Sequence, residues 1–185
     1  MTGSALTCST KNSGSVTGSI IVAPISSVAV LKRKYHFSHV ISIIGASDRV
    51  SFPSFNGPKV LRLGFDDVGY SSDQTRAPDT ADINSIIAFA RIWNGEGDML
   101  IHCRAGTSRS PAAAMIVLGA ITVLDPTAAI KKLLALKSYY RPNTTMLRIA
   151  GQVLESGRLL LDIAHQHANA DRPTVLGPAR LFLPG

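Results

Sequence analysis

The sequence predicts an α/β fold: a central, mostly parallel sheet of about four to five strands flanked by helices. Three observations predict it. The strand candidates at 20–23, 40–44, 60–65 and 99–102 are short, continuous apolar runs, the pattern of strands covered on both faces. Segments with helical periodicity alternate with them. The 185 residues are 45% hydrophobic and 17% charged, enough for one globular domain with a full core.

Residues 1–18 are rich in Ser, Thr and Gly and predict a disordered tail before a domain over 19–168. Pro24 ends the first strand, and Ser26 and Ser27 can cap a short helix to about Tyr35. Gly45 closes the second strand; Pro53, Asn56, Gly57 and Pro58 mark 46–58 as loop before the third. Loop 66–79 is polar and carries Asp66, Asp67, Asp73 and Asp79. Asp79 or Thr80 then caps a helix in which Ile83, Ile86, Ile87, Ala90 and Trp93 recur at helical spacing. Asn94, Gly95 and Gly97 stop it before the fourth strand. From Arg109 to about Val123 runs an Ala-rich helix that reads as buried. Asp125 and Pro126 start another, ending near Tyr140 before Pro142, and Asn143 caps a last one to about His167. Pro173, Pro178 and Pro184 predict a flexible tail over 169–185.

A net charge of +7 favours acidic partners, phosphate esters among them. The basic residues are scattered, with small groups at Lys32, Arg33 and Lys34 and at Lys131, Lys132, Lys137 and Arg141, and aromatics do not interleave with them. No specific nucleic-acid binding is expected. No apolar run is long enough to span a bilayer, and Pro24 and the basic residues that follow 20–31 do not make an export signal. The expectation is therefore a cytoplasmic protein with no membrane partner. Cys8 and Cys103 make no disulfide framework. Cys8 reads as incidental; Cys103 is a buried small hydrophobe or a nucleophile. His36, His39, His165 and His167 do not cluster as ligands, so no metal is expected. Trp93, Tyr139 and Tyr140 read as packing.

The chemistry concentrates in 102–110. A Cys at a strand end is a strong nucleophile once its thiolate is populated. A tight loop before a helix N-terminus turns successive amides toward an anion and favours the thiolate. Gly106 permits the curl. The amides of Arg104, Ala105, Gly106, Thr107, Ser108 and Arg109 would hold a phosphoryl group, and the Arg109 fork would hold two of its oxygens. Ser110 can donate to the sulfur of Cys103, and His102 is expected to fix the loop by hydrogen bonding. Arg104 reads either as a contact to a second phosphate or an acidic flank of the substrate, or as a solvated rim charge.

His102 and Cys103, Gly106, and Arg109 and Ser110 together resemble the signature loop of the cysteine-based protein tyrosine phosphatases. Ala105, Gly106, Ser108, Arg109 and Ser110 are similar to the dual-specificity branch. Phe65, Asp66 and Asp67 resemble the strand end of compact bacterial tyrosine phosphatases. The likeness extends, as an order of elements, over roughly 20–165. It implies a phosphotyrosine-phosphatase-like fold, a phosphocysteine intermediate, and neither metal nor cofactor. It also implies a general acid: an Asp on a mobile loop some thirty-odd residues before the Cys. Asp67, 36 residues upstream, is the expected acid, with Asp66 second, either as acid or as a brace for the loop, and Asp73 third. Asp79 and Asp82 read as helix-capping or solvated carboxylates.

The implied activity is hydrolysis of phosphate monoesters, phosphotyrosine first and phosphoserine or phosphothreonine second, on proteins. An alternative substrate is a small phosphate ester such as a phosphoinositide or nucleotide, disfavoured because the loop lacks extra lysines. A non-catalytic phosphate-binding module is disfavoured because Cys103 and Arg109 are both present. Rhodanese-type sulfur or arsenate chemistry is disfavoured by the upstream acid and the Arg109–Ser110 pair.

Overall fold

The computed structural model describes residues 18–121, 126–154, 157–168 and 178–183. The expected N-terminal tail up to residue 17, Cys8, residues 122–125 and most of the expected C-terminal tail lie outside the described residues.

The chain runs β1 (Ser19–Pro24), α1 (Ile25–Lys34), β2 (Phe37–Ile43), a single 3-10 turn (Ala46–Asp48), β3 (Lys59–Leu63), α2 (Thr80–Trp93) and β4 (Asp98–Cys103). It continues with α3 (Arg109–Ala120), α4 (Pro126–Ala135), α5 (Thr144–Val153), α6 (Gly157–Ala168) and β5 (Ala179–Phe182). The sheet order is β3-β2-β4-β1-β5. The first four strands are parallel, and β5 pairs antiparallel with β1. β4 lies between β2 and β1, with Leu100 opposite both Val40 and Ile21. Cys103 thus emerges at the carboxyl edge of the sheet's middle strand, where open α/β sheets bind ligands.

Side-chain alternation divides β4 between two layers. Met99, Ile101 and Cys103 join the large core with α2 to α6; Leu100 faces α1 with Ile21, Ala23, Val28, Leu31 and Val40. From Arg109 to Leu118 every residue of α3 is buried, as expected of a helix apolar all round.

The structure differs from the sequence reading in four places. Ser26 and Ser27 do not cap α1, because the chain enters the helix straight from Pro24 and the Ile25 amide donates to the Arg104 carbonyl (3.3 Å). α4 stops at Ala135, and i→i−3 bonds at Leu136, Lys137 and Tyr140 tighten the chain so that Tyr140 is buried. The expected last helix is two, α5 and α6, interrupted by extended backbone at Leu154. The break lets Leu160, Ile163 and Ala164 turn back onto the core. Residues 179–182 are strand and not tail: Leu181 is buried, and Arg180 reaches Asp98 (2.6 Å) and Ser19 (2.8 Å). The flanking prolines hid this strand, yet Pro is tolerated beside an edge strand.

Candidate active site

Residues 104–108 link β4 to α3. The buried Cys103 Sγ accepts hydrogen bonds from Ser110 Oγ (2.8 Å) and the Gly106 amide (3.2 Å). Gly106 has φ +74°, and a Cβ there would lie 2.5 Å from the Pro24 nitrogen, so no other residue fits without displacing the end of β1. The β1–α1 junction thereby supports the first half of the loop. The second half is held by the segment before α5: the Arg141 amide donates to the Thr107 carbonyl (2.8 Å) and the Asn143 amide to the Ser108 carbonyl (3.3 Å). Ser108 is the N-cap of α3, yet its side chain makes no cap bond. The first-turn amides are left for an anion. Arg104 and Ala105 are exposed, and Thr107 and Ser108 half-buried.

Arg109 is 3% exposed. Its Nη1 and Nη2 hold the two carboxylate oxygens of Asp48 (2.7 and 2.9 Å), and Nη1 also donates to the Phe65 carbonyl (3.0 Å). Burial opposes its charge, but the Asp48 hydrogen bonds, with the charges of Cys103, Asp48 and Asp67, raise its pKa above the ordinary value. Nε is buried with no partner. The Nη1–Nη2 edge of the fork is therefore occupied by protein. The Nε–Nη2 edge offers two parallel donors, the arrangement that recognises two oxygens of one anion. Asp48 also accepts from the Gly45 amide (2.8 Å). The sequence reading missed Asp48: it lies in a loop of mixed composition, 61 residues from its partner, and nothing local marks it.

The three aspartates separate clearly. Asp67 is exposed, and its Oδ1 accepts from Ser108 Oγ (2.7 Å) and Asn143 Nδ2 (2.8 Å). Asp66 is buried and turned away, accepting from the Ser47 side chain and amide and from the Arg76 amide. Burial disfavours its charge, but these hydrogen bonds, with a weaker contribution from Arg109, hold its pKa below the usual carboxylate value. It braces the turn that carries Asp48 and does not bond to residues 102–110. Asp73 is exposed, and no hydrogen bond or ion pair ties it to residues 102–110. Asp79 and Asp82 form the capping box of α2, and Asp82 takes both Nη atoms of Arg76.

His102 does not fix the loop. Adjacent strand residues face opposite sides, so the ring lies away from Cys103, 6.2 Å from the Phe55 ring, with neither nitrogen hydrogen-bonded. Burial lowers its pKa to about 4, so the ring is neutral. Tyr140 is packing, as expected; burial above all raises its pKa, and Tyr139 and Cys103 add to it. Among the described residues no three His, Cys, Asp or Glu side chains gather to hold a metal ion, and no helix is long and apolar enough to cross a membrane.

No protein-family model matches the sequence, and no curated protein matches it. Solved structures do match, and the fold they share with this chain is that of the dual-specificity phosphatases within the cysteine-based tyrosine phosphatase superfamily. DUSP15 is 18% identical, with 82% of this chain and 95% of that one covered and a TM-score of 0.55. Human DUSP28 is 14% identical, covering 76% and 94%, with a TM-score of 0.57. The human tyrosine phosphatase-like serine/threonine/tyrosine-interacting protein is 18% identical, covering 74% and 87%, with a TM-score of 0.52.

Proposed function

We propose that the chain is a phosphatase that hydrolyses phosphate monoesters through a phosphocysteine intermediate. Phosphotyrosine on proteins is the preferred substrate, with phosphoserine and phosphothreonine second. One observation carries the reading: a buried thiol, an arginine edge with an unpartnered donor and an exposed carboxylate all meet on the loop between β4 and α3.

The Cys103 thiolate attacks phosphorus as the P–O bond to the leaving group breaks. Loop amides from 104 to 109 and the Nε–Nη2 edge of Arg109 hold the equatorial oxygens, where charge spreads in the transition state. Protonated Asp67 gives its proton to the departing oxygen. In the second step the Asp67 carboxylate takes a proton from water, the water oxygen bonds to phosphorus, and the thiolate leaves, eased by the Ser110 hydroxyl at 2.8 Å.

The test is a phosphopeptide turnover screen with Cys103→Ser as the blank. Turnover is expected to fall by roughly 10⁴-fold or more in the variant. Retained activity in the variant would sink the scheme. Exposed Arg104 supports a second reading, a small phosphate ester carrying further negative charge. Side-by-side kinetics on phosphopeptides and small phosphate esters separate the two.

A further inference from the structure

Asp67 stands on an exposed segment whose hydrogen bonds are mostly internal, the Ser72 amide to the Thr75 carbonyl (2.8 Å) and the Ala77 amide to Ser71 Oγ (2.9 Å) among them. Residues 69–74 are exposed, and the Thr145 hydroxyl reaches the Gly69 carbonyl only at 3.5 Å. Two donors nevertheless converge on a single oxygen of its carboxylate. Ser108 Oγ comes from the loop and Asn143 Nδ2 from the turn before α5, and both end on Oδ1. No hydrogen bond from the described residues ends on Oδ2.

We propose that Asn143 is a positioning residue for Asp67, fixing which carboxylate oxygen carries the transferable proton. The proposal rests on the assignment of Asp67 as the general acid. With two donors directed at Oδ1, the proton of the neutral carboxyl group is left to Oδ2, and Oδ1 remains an acceptor in both protonation states. The acid cycles between giving and taking a proton without rebuilding its contacts. Oδ2 faces the leaving oxygen in the first step and the attacking water in the second.

Asn143 suits this task because it is itself held at three points. Its Oδ1 caps α5 by accepting from the Met146 amide (3.0 Å), its own amide holds the Ser108 carbonyl (3.3 Å), and its carbonyl accepts from the Leu147 amide (3.2 Å). The cap demands an oxygen toward Met146, so the NH₂ is directed at Asp67. Ser at 143 would cap but not reach. Asp would cap, but it would offer no donor and set a second negative charge beside the first. Asparagine meets both demands, and sequence reading saw only the cap.

Asn143→Ser and Asn143→Asp both keep a good N-cap, so α5 is expected to form in each, checked by circular dichroism and thermal melting. In Asn143→Ser, kcat on a phosphotyrosine peptide is expected to fall about tenfold with KM within about twofold. On an aryl phosphate with an acidic phenol, which needs no proton, the loss is expected to stay under about twofold. Asn143→Asp should show the same leaving-group dependence. In an Asp67→Asn background either change should add almost nothing. Equal losses on both substrates, no loss on either, or full additivity with Asp67→Asn would overturn the proposal. If Asp67→Asn itself shows no leaving-group dependence, the acid assignment fails, and this inference with it.

Discussion

The two halves of the site are built in opposite ways. On the sheet side, Arg109 and Asp48 form a two-point ion pair with side chains 4% and 8% exposed, backed by Asp66 and the Phe65 carbonyl. On the rim, Asp67 is exposed and held by two uncharged donors, Ser108 of the loop and Asn143 before α5. A buried ion pair is costly to break, because removing one partner strands the other's charge. An exposed carboxylate on hydrogen bonds moves and changes charge at little cost. On the proposed scheme, the group that holds the anion is the buried one, and the group that gives and takes a proton is the one open to water.

Breaking the buried half is expected to have the largest effect. Asp48→Ala leaves the Arg109 guanidinium buried without its counter-charge and should cost about 3 kcal/mol of stability, read by urea unfolding. It should also cost roughly 10²-fold or more in turnover, because the free edge of Arg109 is no longer aimed. A variant as stable and active as the parent would remove Asp48 from the site. Breaking the exposed half comes next. Asp67→Asn should lower turnover of phosphotyrosine roughly 10²-fold, much less for an aryl phosphate with a good leaving group, while unfolding is almost unchanged. A large stability loss there would erase the contrast between the halves.

The effect that is smallest at neutral pH, and grows only toward acid, sharpens the comparison further. His102 is buried neutral, its pKa lowered from 6.5 to about 4. Between those values the unfolded chain takes up a proton that the folded chain does not, so stability falls as pH falls, by up to about 3 kcal/mol at the acid end. Asp66 runs in the same direction lower down: its depressed pKa gives stability that is present above the ordinary carboxylate value and lost as pH falls through the folded one. His102→Leu should flatten the stability profile between pH 6.5 and 4 and leave turnover near its parent value. An unchanged slope would place the acid sensitivity in other groups.

Some of this was legible residue by residue. Apolar runs marked the four parallel strands, since burial on both faces favours apolar side chains, with Ser42 and His102 among the buried exceptions. Cys103, Gly106, Arg109 and Ser110 were legible because they share one short loop, where spacing alone brings them together. Asp67 was singled out by the resemblance, from its place after a strand and 36 residues before Cys103, and the structure sets its carboxylate against Ser108 of the loop.

Tertiary structure decided the rest. Asp48 meets Arg109 across 61 residues and Asn143 meets Asp67 across 76, and each would read alone as a loop carboxylate or a helix cap. β5 escaped notice because Pro178 and Pro184 flank it and its partner β1 lies at the far end of the chain. The neighbour relation misled at His102, where one step along a strand means the opposite face. Local geometry is written in neighbouring residues. The partner of a buried charge is chosen by how strands and helices stack, and that choice leaves no trace in spacing. The sequence alone put Cys103, Gly106, Arg109 and Ser110 on one short loop; the fold decided which side chains hold Arg109 and Asp67 in place.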